Sequence, residues 1–311
     1  MLGLADVHGW TLRARAAARA CSPRTHIWWG VPAARSPWIS LLLSCHPVPT
    51  AAVTAIATVQ ALAAGGAPGV VALVLLAVLS GQLSIGWSND LLDAERDRSA
   101  GRTDKPVAAG ALPRRTLGIA LAVATAAVVP LSFALGWQAA AAHLLGVAFG
   151  WAYNLGLKAT PFSPVPYAVA FGALPAVATL SGSAPAAPPW WAVTAGALLG
   201  VGAHFGNVLP DIRADREAGV LGLPQRAGSA LSSSVAAAAV VSAAALVFTP
   251  AVLVSPAAVP LAALVVALAG ATIAIARTGR RLRLAFVAVM LAAGLCVAML
   301  VLSGGLARVT S

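Results

Sequence analysis

Long apolar runs dominate the pattern of hydrophobic and polar residues along this chain, and they recur from residue 39 to residue 303. About 20 apolar residues in a helix cross the hydrocarbon core of a bilayer, and most of these runs have about that length. Clusters of glycine and proline separate the runs, as at residues 65–68 and 181–185. We therefore predict an all-α integral membrane protein with about nine transmembrane helices. The predicted spans are 39–64, 69–88, 113–134, 137–155, 164–181, 189–209, 231–249, 252–276 and 283–303.

The composition excludes an ordinary soluble domain. Hydrophobic residues make up 59% of the 311 residues and charged residues only 9%, whereas soluble domains carry about 25% charged residues. The three cysteines, Cys21, Cys45 and Cys296, lie far apart, without the spacing of a thiolate metal site or a disulfide framework. The many alanine and glycine residues suit close packing of helices in lipid.

The basic residues predict the orientation of the chain. If the N-terminus lies in the cytoplasm, 19 of the 20 Lys and Arg residues fall in or next to cytoplasmic segments, and only Arg308 does not. The positive-inside rule requires such an asymmetry, which explains the net charge of +11 without a nucleic-acid partner. We therefore predict a multi-pass protein of the cell membrane that contacts the lipid bilayer. Residues 1–36 are expected to form a basic, disordered cytoplasmic leader, and residues 37–311 a single transmembrane domain.

One polar motif occurs twice in this apolar chain. Residues 89–101 and 207–219 both read N-x-x-x-D-x-x-x-D-R-x-A-G, and eight of the nine Asp and Glu residues lie in or beside the two copies. Residues four apart share one face of a helix, so each copy should present an amide and two carboxylates in a single stripe. An even number of predicted spans separates the copies, so they form two parallel pseudo-repeats. The charge asymmetry places both Asp-rich motifs at cytoplasmic helix ends.

Carboxylates held this close together repel one another unless a cation lies between them. Oxygen donors without nearby His or Cys favour magnesium over zinc. Magnesium ions could bridge the motifs to a diphosphate with an apolar tail, and could stabilise the charge that develops as the carbon–oxygen bond breaks. Arg102 and Lys105 are candidates to hold the leaving diphosphate. The candidate metal ligands are Asn89, Asp93, Asp97, Asn207, Asp211 and Asp215.

The two motifs, with Tyr153-Asn154-Leu155-Gly156-Leu157-Lys158 between them, resemble those of the UbiA family of intramembrane prenyltransferases. The resemblance extends over residues 39–303. It implies nine transmembrane helices around a central cavity, and Mg²⁺-dependent transfer of a prenyl group from an isoprenyl diphosphate to a hydrophobic acceptor. It also implies that Tyr153 and Lys158 line the active site and that five motif residues hold the magnesium diphosphate. These five are Asn89, Asp93, Asp97, Asp211 and Asp215.

Two departures from the family pattern bear on the acceptor. Tyr153 and Lys158 are one residue further apart than in the family's aromatic-acid members. Where many members carry an Arg before a Pro, this chain has Cys45-His46-Pro47. Both departures argue against a hydroxybenzoate acceptor. The spacing resembles that of members that act on lipid or tetrapyrrole alcohols, or on other aromatic compounds.

Four further residues are candidates for substrate binding, each with a structural alternative. Asp90 points off the stripe, where a supporting or solvated carboxylate is the alternative. His204 lies three residues before the second motif and so faces the same pocket, unless it is a hydrogen-bonded packing residue. Arg98 and Arg216 occupy equivalent positions in the two copies, where they either contact the diphosphate or set the topology.

Two other functions remain open at this point. A terpene cyclase would use the same diphosphate site but fold the prenyl chain on itself without an acceptor. A cation-coupled transporter would use the acids as an ion site, although transporters of that kind tend to show inverted repeats and acids near the middle of a span. His143 lies in mid-helix without a motif partner and is expected to be structural.

Overall fold

The computed structural model describes residues 36–303 and Leu306, so the leader predicted for residues 1–36 lies, but for Ser36, outside the described residues. The described residues form eleven α-helices and no β-strand, which confirms the all-α prediction. The helices are α1 Pro37–Ser44, α2 Pro47–Ala63, α3 Pro68–Ser99, α4 Arg114–Ala134, α5 Trp137–Asn154, α6 Val165–Thr179, α7 Trp190–Val208, α8 Ile212–Glu217, α9 Leu223–Val252, α10 Ala258–Arg277 and α11 Leu282–Leu302. One 3₁₀ turn, Leu157–Ala159, follows α5.

Proline and glycine set the helix boundaries, as the sequence indicates. Pro47 and Pro68 stand at the first positions of α2 and α3, where a missing N–H costs no helical hydrogen bond. Gly65 (φ 77°) and Gly136 (φ 101°) occupy left-handed conformations in the short connections after α2 and α4. A residue with a Cβ rarely adopts that conformation, so glycine at these two positions lets the chain reverse direction.

Six helices enclose a central cavity. In ring order these are α2, α3, α5, α6, α7 and α11, and α11 meets α2 again. Helix α4 packs outside α3 and α5, and α10 packs outside α9 and α11. Small residues bring the helices close together: a Cβ on Gly200 of α7 would lie 2.2 Å from the carbonyl oxygen of Tyr167 on α6. This close approach brings the polar residues of α6 and α7 to one wall of the cavity.

Five of the described helices, α3, α4, α9, α10 and α11, are long and apolar enough to cross a membrane. A sixth span results if α1 and α2, which meet at a bend of 64°, are counted together. Helix α6 is apolar but has only 15 residues. Helices α5 and α7 carry polar side chains such as Gln138, His143 and His204, which lower their hydropathy. The chain is thus a multi-pass membrane protein, whereas helix length and composition alone do not confirm nine spans.

Helix boundaries near the two motifs differ from the predicted spans. The second predicted span ends at residue 88, but α3 continues without a break to Ser99 and so carries the whole first motif from Asn89 to Asp97. Proline interrupts the second motif: α7 ends at Val208, and α8 begins at Ile212. The single stripe expected for both copies therefore forms only in the first, because Pro210 cannot continue a helix through the second.

Candidate active site

The central cavity has a volume of about 580 Å³, and its Asp, Arg and Lys lining residues all lie at one end. Both Asp-rich motifs contribute to the polar end, which we call the motif end. Its polar lining residues include Asn89, Asp93, Arg96, Tyr153, Lys158, Asn207 and Asp215. The rest of the wall is mostly apolar and comes from α2, α3, α5, α6 and α11. The fold thus brings together two segments that lie more than a hundred residues apart in the sequence.

Asp93 is the centre of an ion-pair cluster at the motif end. The residue is 8% exposed, and its two carboxylate oxygens lie 2.6 and 2.7 Å from Nζ of Lys158. A guanidinium nitrogen of Arg96, one helical turn further on, lies 2.7 Å from the same carboxylate. Lys158 also donates to Oδ1 of Asn89 at 3.4 Å. Burial lowers the pKa of Lys158 although Asp93 opposes that shift, so this ammonium group is held in an environment that disfavours its charge.

Lys158 reaches Asp93 because the chain turns sharply after α5. Gly156 (φ 149°) leads into the 3₁₀ turn Leu157–Ala159, which carries the lysine. Asn154, at the end of α5, donates to Oγ of Ser88 at 2.8 Å and so fixes this corner against α3. The sequence motif that contains Tyr153 and Lys158 is therefore a helix end followed by a turn. This turn places the ammonium group of Lys158 against Asp93 of the first motif.

Asp97 is a buried carboxylate with no ion pair to any residue in the described part of the chain. It is 7% exposed and lies one turn beyond Asp93 on α3. The nearby cation Arg102 is bound bidentately by Asp104 at 2.8 and 2.9 Å, which raises the pKa of the guanidinium, and Asp211 and Asp97 add to that shift. The same pair lowers the pKa of Asp104. Arg102 therefore lies within electrostatic range of both motifs.

Asp90 and Lys105 bind each other deep beside the first motif. Asp90 is 2% exposed, and its Oδ1 lies 2.7 Å from Nζ of Lys105 and 3.1 Å from Nε2 of His46. Nε2 of His46 also lies 3.1 Å from Nζ of Lys105 and 3.3 Å from the amide nitrogen of Asn89. Asp90 is thus neither on the motif stripe nor solvated, and Lys105 is tethered here by a carboxylate.

His46 is a site residue that sequence reasoning noted only as a departure from the family pattern. It stands at the bend between α1 and α2 in a left-handed conformation (φ 56°). The bend approaches α3 closely, since a Cβ on Gly86 would lie 2.3 Å from the carbonyl oxygen of Cys45. Trp87 also donates to the carbonyl oxygen of Leu41 at 3.0 Å. The only signal in the sequence was the proline that follows His46.

The second motif is more open than the first. Asn207, near the end of α7, is exposed to the cavity, and Asp211 is exposed in the turn before α8. Asp215 on α8 is half-buried and accepts a hydrogen bond from Nε2 of Gln225 at 2.8 Å. Burial raises the pKa of Asp215, against the hydrogen bond from Gln225, which lowers it. Gln225 is a further residue of this wall that the sequence did not mark.

The two equivalent arginines, Arg98 and Arg216, do not line the cavity. Arg98 pairs with Glu95 at 3.0 Å on the exposed side of α3. Arg216 donates to the carbonyl oxygens of Gln225 and Arg226, the latter at 3.2 Å, and so ties α8 to the start of α9. Their substrate-binding roles stay a prediction, which these contacts do not support.

An aromatic cluster borders the motif end. The rings of Tyr153 and Tyr167 meet edge to face with centroids 5.3 Å apart, and Tyr167 packs 4.9 Å from the ring of His204. His204 is 1% exposed and lies 3.0 Å from Oγ of Ser163, which also accepts the backbone N–H of Leu223. His204 therefore lies behind the tyrosines and does not itself line the cavity. Tyr167, the second of only two tyrosines in the chain, was not singled out from the sequence.

The donor atoms at the motif end suit a hard cation. Within residues 36–303, no group of three or more His, Cys, Asp or Glu side chains is already gathered closely enough to form a metal site. The available donors are nevertheless carboxylate and amide oxygens, which magnesium prefers. Asp97 is buried without an ion pair to any described residue, which indicates that a cation can be accommodated there.

Comparison with known proteins agrees with this geometry. The family model described as the UbiA prenyltransferase family matches residues 50–291. The search of the curated proteins found no match.

Three solved structures with the same fold match this chain over nearly their whole length. A UbiA homolog from Archaeoglobus fulgidus bound to GPP and Mg²⁺ has 17% identity and a TM-score of 0.65, over 84% of this chain and 97% of that one. The apo structure of a UbiA homolog from Aeropyrum pernix K1 has 21% identity and a TM-score of 0.65, over 86% and 98%. A digeranylgeranylglyceryl phosphate synthase has 16% identity and a TM-score of 0.62, over 88% and 99%. At these identities the likeness concerns the fold.

Proposed function

The chain belongs to the UbiA prenyltransferase family, and we propose that it transfers an isoprenyl group from an isoprenyl diphosphate to a hydrophobic, aromatic or lipid-like acceptor in a Mg²⁺-dependent reaction. The observation that carries this proposal is the pairing of a carboxylate-rich end with an otherwise apolar cavity of about 580 Å³. A charged head group and a hydrocarbon tail need these two environments side by side. The solved homolog from Archaeoglobus fulgidus is bound to GPP and Mg²⁺, which supports the same use of this cavity.

The motif residues Asn89, Asp93, Asp97, Asn207, Asp211 and Asp215 would hold the magnesium ions. When bound, these ions would supply charge neutralisation for the diphosphate and for its developing negative charge as it leaves. The donors present fit this role, because they are oxygen ligands and because Asp97 has no ion pair among the described residues.

Lys158 and Arg96 occupy the place of a cation in the structure described here, since both contact the carboxylate of Asp93. Substrate binding would redistribute these contacts. Lys158 and Arg96 then become free to donate hydrogen bonds to phosphate oxygens at the mouth of the cavity, as charge-assisted contacts of the kind that cations form with phosphate. Arg102, which lies within electrostatic range of Asp97 and Asp211, would do the same from the loop side.

The transfer itself breaks the bond between C1 of the prenyl chain and the diphosphate oxygen, which leaves with the bonding pair. The new bond forms between C1 and the nucleophilic atom of the acceptor, whose proton passes to the departing diphosphate, the base that the reaction itself releases. The Tyr153 and Tyr167 rings border this position, where their faces can stabilise positive charge on the allylic carbon. The apolar side chains around the allylic carbon keep water away from this position, where it would otherwise quench the cation.

The predicted topology belongs to the same proposal. We place nine membrane crossings in a single domain over residues 37–311, with the N-terminus and the motif end in the cytoplasm, because the basic residues cluster on that side. In that orientation a water-soluble diphosphate enters from the cytoplasm and an apolar acceptor from the bilayer.

The test is incubation of the purified protein with geranyl, farnesyl and geranylgeranyl diphosphates, with Mg²⁺ or EDTA, and with an extract of membrane lipids and aromatic compounds. Mass spectrometry follows organic products and released diphosphate. An acceptor-dependent prenylated product that is lost with EDTA is the expected result. Hydrocarbon or terpene alcohol formed without any acceptor would instead identify a cyclase. If no diphosphate is released from any chain length, the proposal is wrong.

A further inference from the structure

Two polar side chains interrupt the apolar wall at the end of the cavity opposite the motifs. Gln82 of α3 and His143 of α5 line the cavity together with apolar residues such as Val78 and Val177. The two helices contact each other at this depth, since a Cβ on Gly81 would lie 3.0 Å from Nε2 of His143. At 1.5 Å per residue, Gln82 lies about 10 Å from Asn89 along the axis of α3, and His143 lies about 15 Å from Tyr153 along α5.

The hydrogen bond of His143 determines which of its two ring nitrogens remains available to the cavity. His143 is 6% exposed, and its Nδ1 lies 2.7 Å from Oγ of Ser132 on α4. The Ser132 hydroxyl also lies within hydrogen-bond distance of the carbonyl oxygen of Val128, and it can pair with Nδ1 in either tautomer of the ring. Nδ1 is thus engaged by Ser132, and Nε2 is the ring nitrogen left to donate or accept a hydrogen bond on the cavity side.

Neither polar group at this end of the cavity is satisfied by the protein. Nε2 of His143 has no hydrogen-bond partner among residues 36–303, and the same holds for the half-buried amide of Gln82. An unpaired polar group that is removed from water costs free energy. The occupant of this region must therefore offer hydrogen bonds, as ordered water does, whereas a hydrocarbon chain cannot.

We propose that His143, oriented by Ser132 and accompanied by Gln82, forms a polar floor that limits the length of the prenyl chain the cavity accepts. This inference rests on the proposed function, since the diphosphate must anchor the chain at the motif end. A chain that ends before the floor leaves water on His143 and Gln82. A longer chain displaces that water and leaves both groups unpaired. Ser132 is a positioning residue in this arrangement, because its contact with Nδ1 holds the ring and leaves Nε2 for the cavity.

The experiment measures binding rather than turnover. Non-reactive thiolodiphosphate analogues with 10, 15 and 20 prenyl carbons are titrated with Mg²⁺ into the purified full-length protein by calorimetry. For the wild type we expect the affinity to fall about tenfold or more at one step of this series, which is the effect of leaving a buried polar group unpaired. In His143→Leu that fall disappears or moves to a longer chain, while His143→Gln, which keeps a polar floor, retains it.

Two further variants make the test specific. Gln60→Leu is the matched control, because Gln60 is a 5% exposed polar residue of α2 that does not line the central cavity. It should leave the order of affinities unchanged. Gln82→Leu should move the fall in the same direction as His143→Leu by a smaller amount, and it serves as the test if His143→Leu does not fold.

The outcomes separate this inference from the proposed function. The polar floor is overturned if the wild type and the leucine variants have the same chain-length preference, or if the affinity of the wild type does not fall anywhere in the series. Either result would leave the prenyltransferase proposal standing. Failure of every chain length to bind in the presence of Mg²⁺ would overturn the diphosphate site itself.

Discussion

The two copies of the Asp-rich motif have the same sequence pattern but not the same structure. The first lies on one unbroken helix, and its carboxylates Asp93 and Asp97 are 8% and 7% exposed. The second is split between two helices, and its Asp211 is exposed. The first copy is also surrounded by cations, whereas Asp215 in the second accepts a hydrogen bond from the neutral amide of Gln225.

This difference suggests that the two copies contribute differently to stability and to ligand binding. The first motif is built into the wall of the bundle, so we expect its residues to contribute to stability as well as to the proposed binding. The second motif lies on short segments that depend on fewer contacts, and such segments adjust more readily when a ligand arrives. We therefore expect equivalent substitutions to have unequal effects in the two copies.

The largest expected difference comes from exchanging one pair of equivalent residues, Leu92 and Pro210. Leu92→Pro places a proline inside α3, where it removes a helical hydrogen bond and costs about 3 kcal/mol or more. We expect loss of folded protein or of all turnover, measured by thermal unfolding in detergent and by diphosphate release. The reciprocal Pro210→Leu should remain folded and lose about tenfold in turnover, since α7 and α8 would tend to merge. Equal damage by both variants would contradict the comparison.

Asp93→Ala should be the most damaging of the single carboxylate substitutions. It removes a proposed metal ligand and leaves Lys158 and Arg96 without their counter-ion. Loss of one such electrostatic contact reduces turnover by about 10²–10³-fold, and breaking a buried ion pair should also lower Tm by roughly 5 °C. Turnover near that of the wild type would be incompatible with the role assigned to the first motif.

Asp211→Ala should separate function from stability. Asp211 is exposed, so Tm should stay within about 1 °C of the wild type, as surface substitutions usually do. Turnover should still fall by about 10²-fold, because a proposed metal ligand is lost, and more Mg²⁺ should be needed for half-maximal rate. A magnesium titration of diphosphate release measures both quantities, with Glu217→Gln, an exposed residue on the short helix α8 that follows Asp211, as control.

His46→Ala should have the smallest effect of these variants. It removes the ring that contacts Asn89, Asp90 and Lys105, but leaves the 2.7 Å ion pair between the last two. We expect KM for the diphosphate to rise about threefold with little change in kcat, as when one neutral hydrogen bond is lost. A larger fall in kcat than in affinity would assign His46 to the chemical step instead.

Much of the fold could be predicted from local patterns. The apolar runs predicted an all-α membrane protein, and the glycine and proline clusters predicted most of the breaks. The extension of α3 to Ser99 was missed, because the polar residues of the first motif do not resemble a membrane span although they continue its helix. The break in the second motif could have been predicted from Pro210, had the proline been weighed against the four-residue spacing.

The candidate site was predicted in part. The motif residues, Tyr153 and Lys158 were identified from spacing and resemblance, and the fold brings most of them to one end of one cavity. Tyr167 was missed, His46 was noted only as a departure from the family pattern, no role was assigned to Gln225, and His143 was expected only to be structural. None of them belongs to the duplicated motif, so its spacing does not mark them.

The sequence by itself determined the helical class, the membrane environment, the duplicated motif and the oxygen-donor chemistry, because these depend on composition and on residues a few positions apart. The tertiary structure alone decided that Lys158, 65 residues from Asp93, neutralises it, and that His46 meets Asp90 across 44 residues. It also decided that the two copies of one pattern differ in burial, and that His143 faces a cavity. Such contacts depend on how helices pack, and packing is set by the shapes of many side chains together rather than by any local pattern.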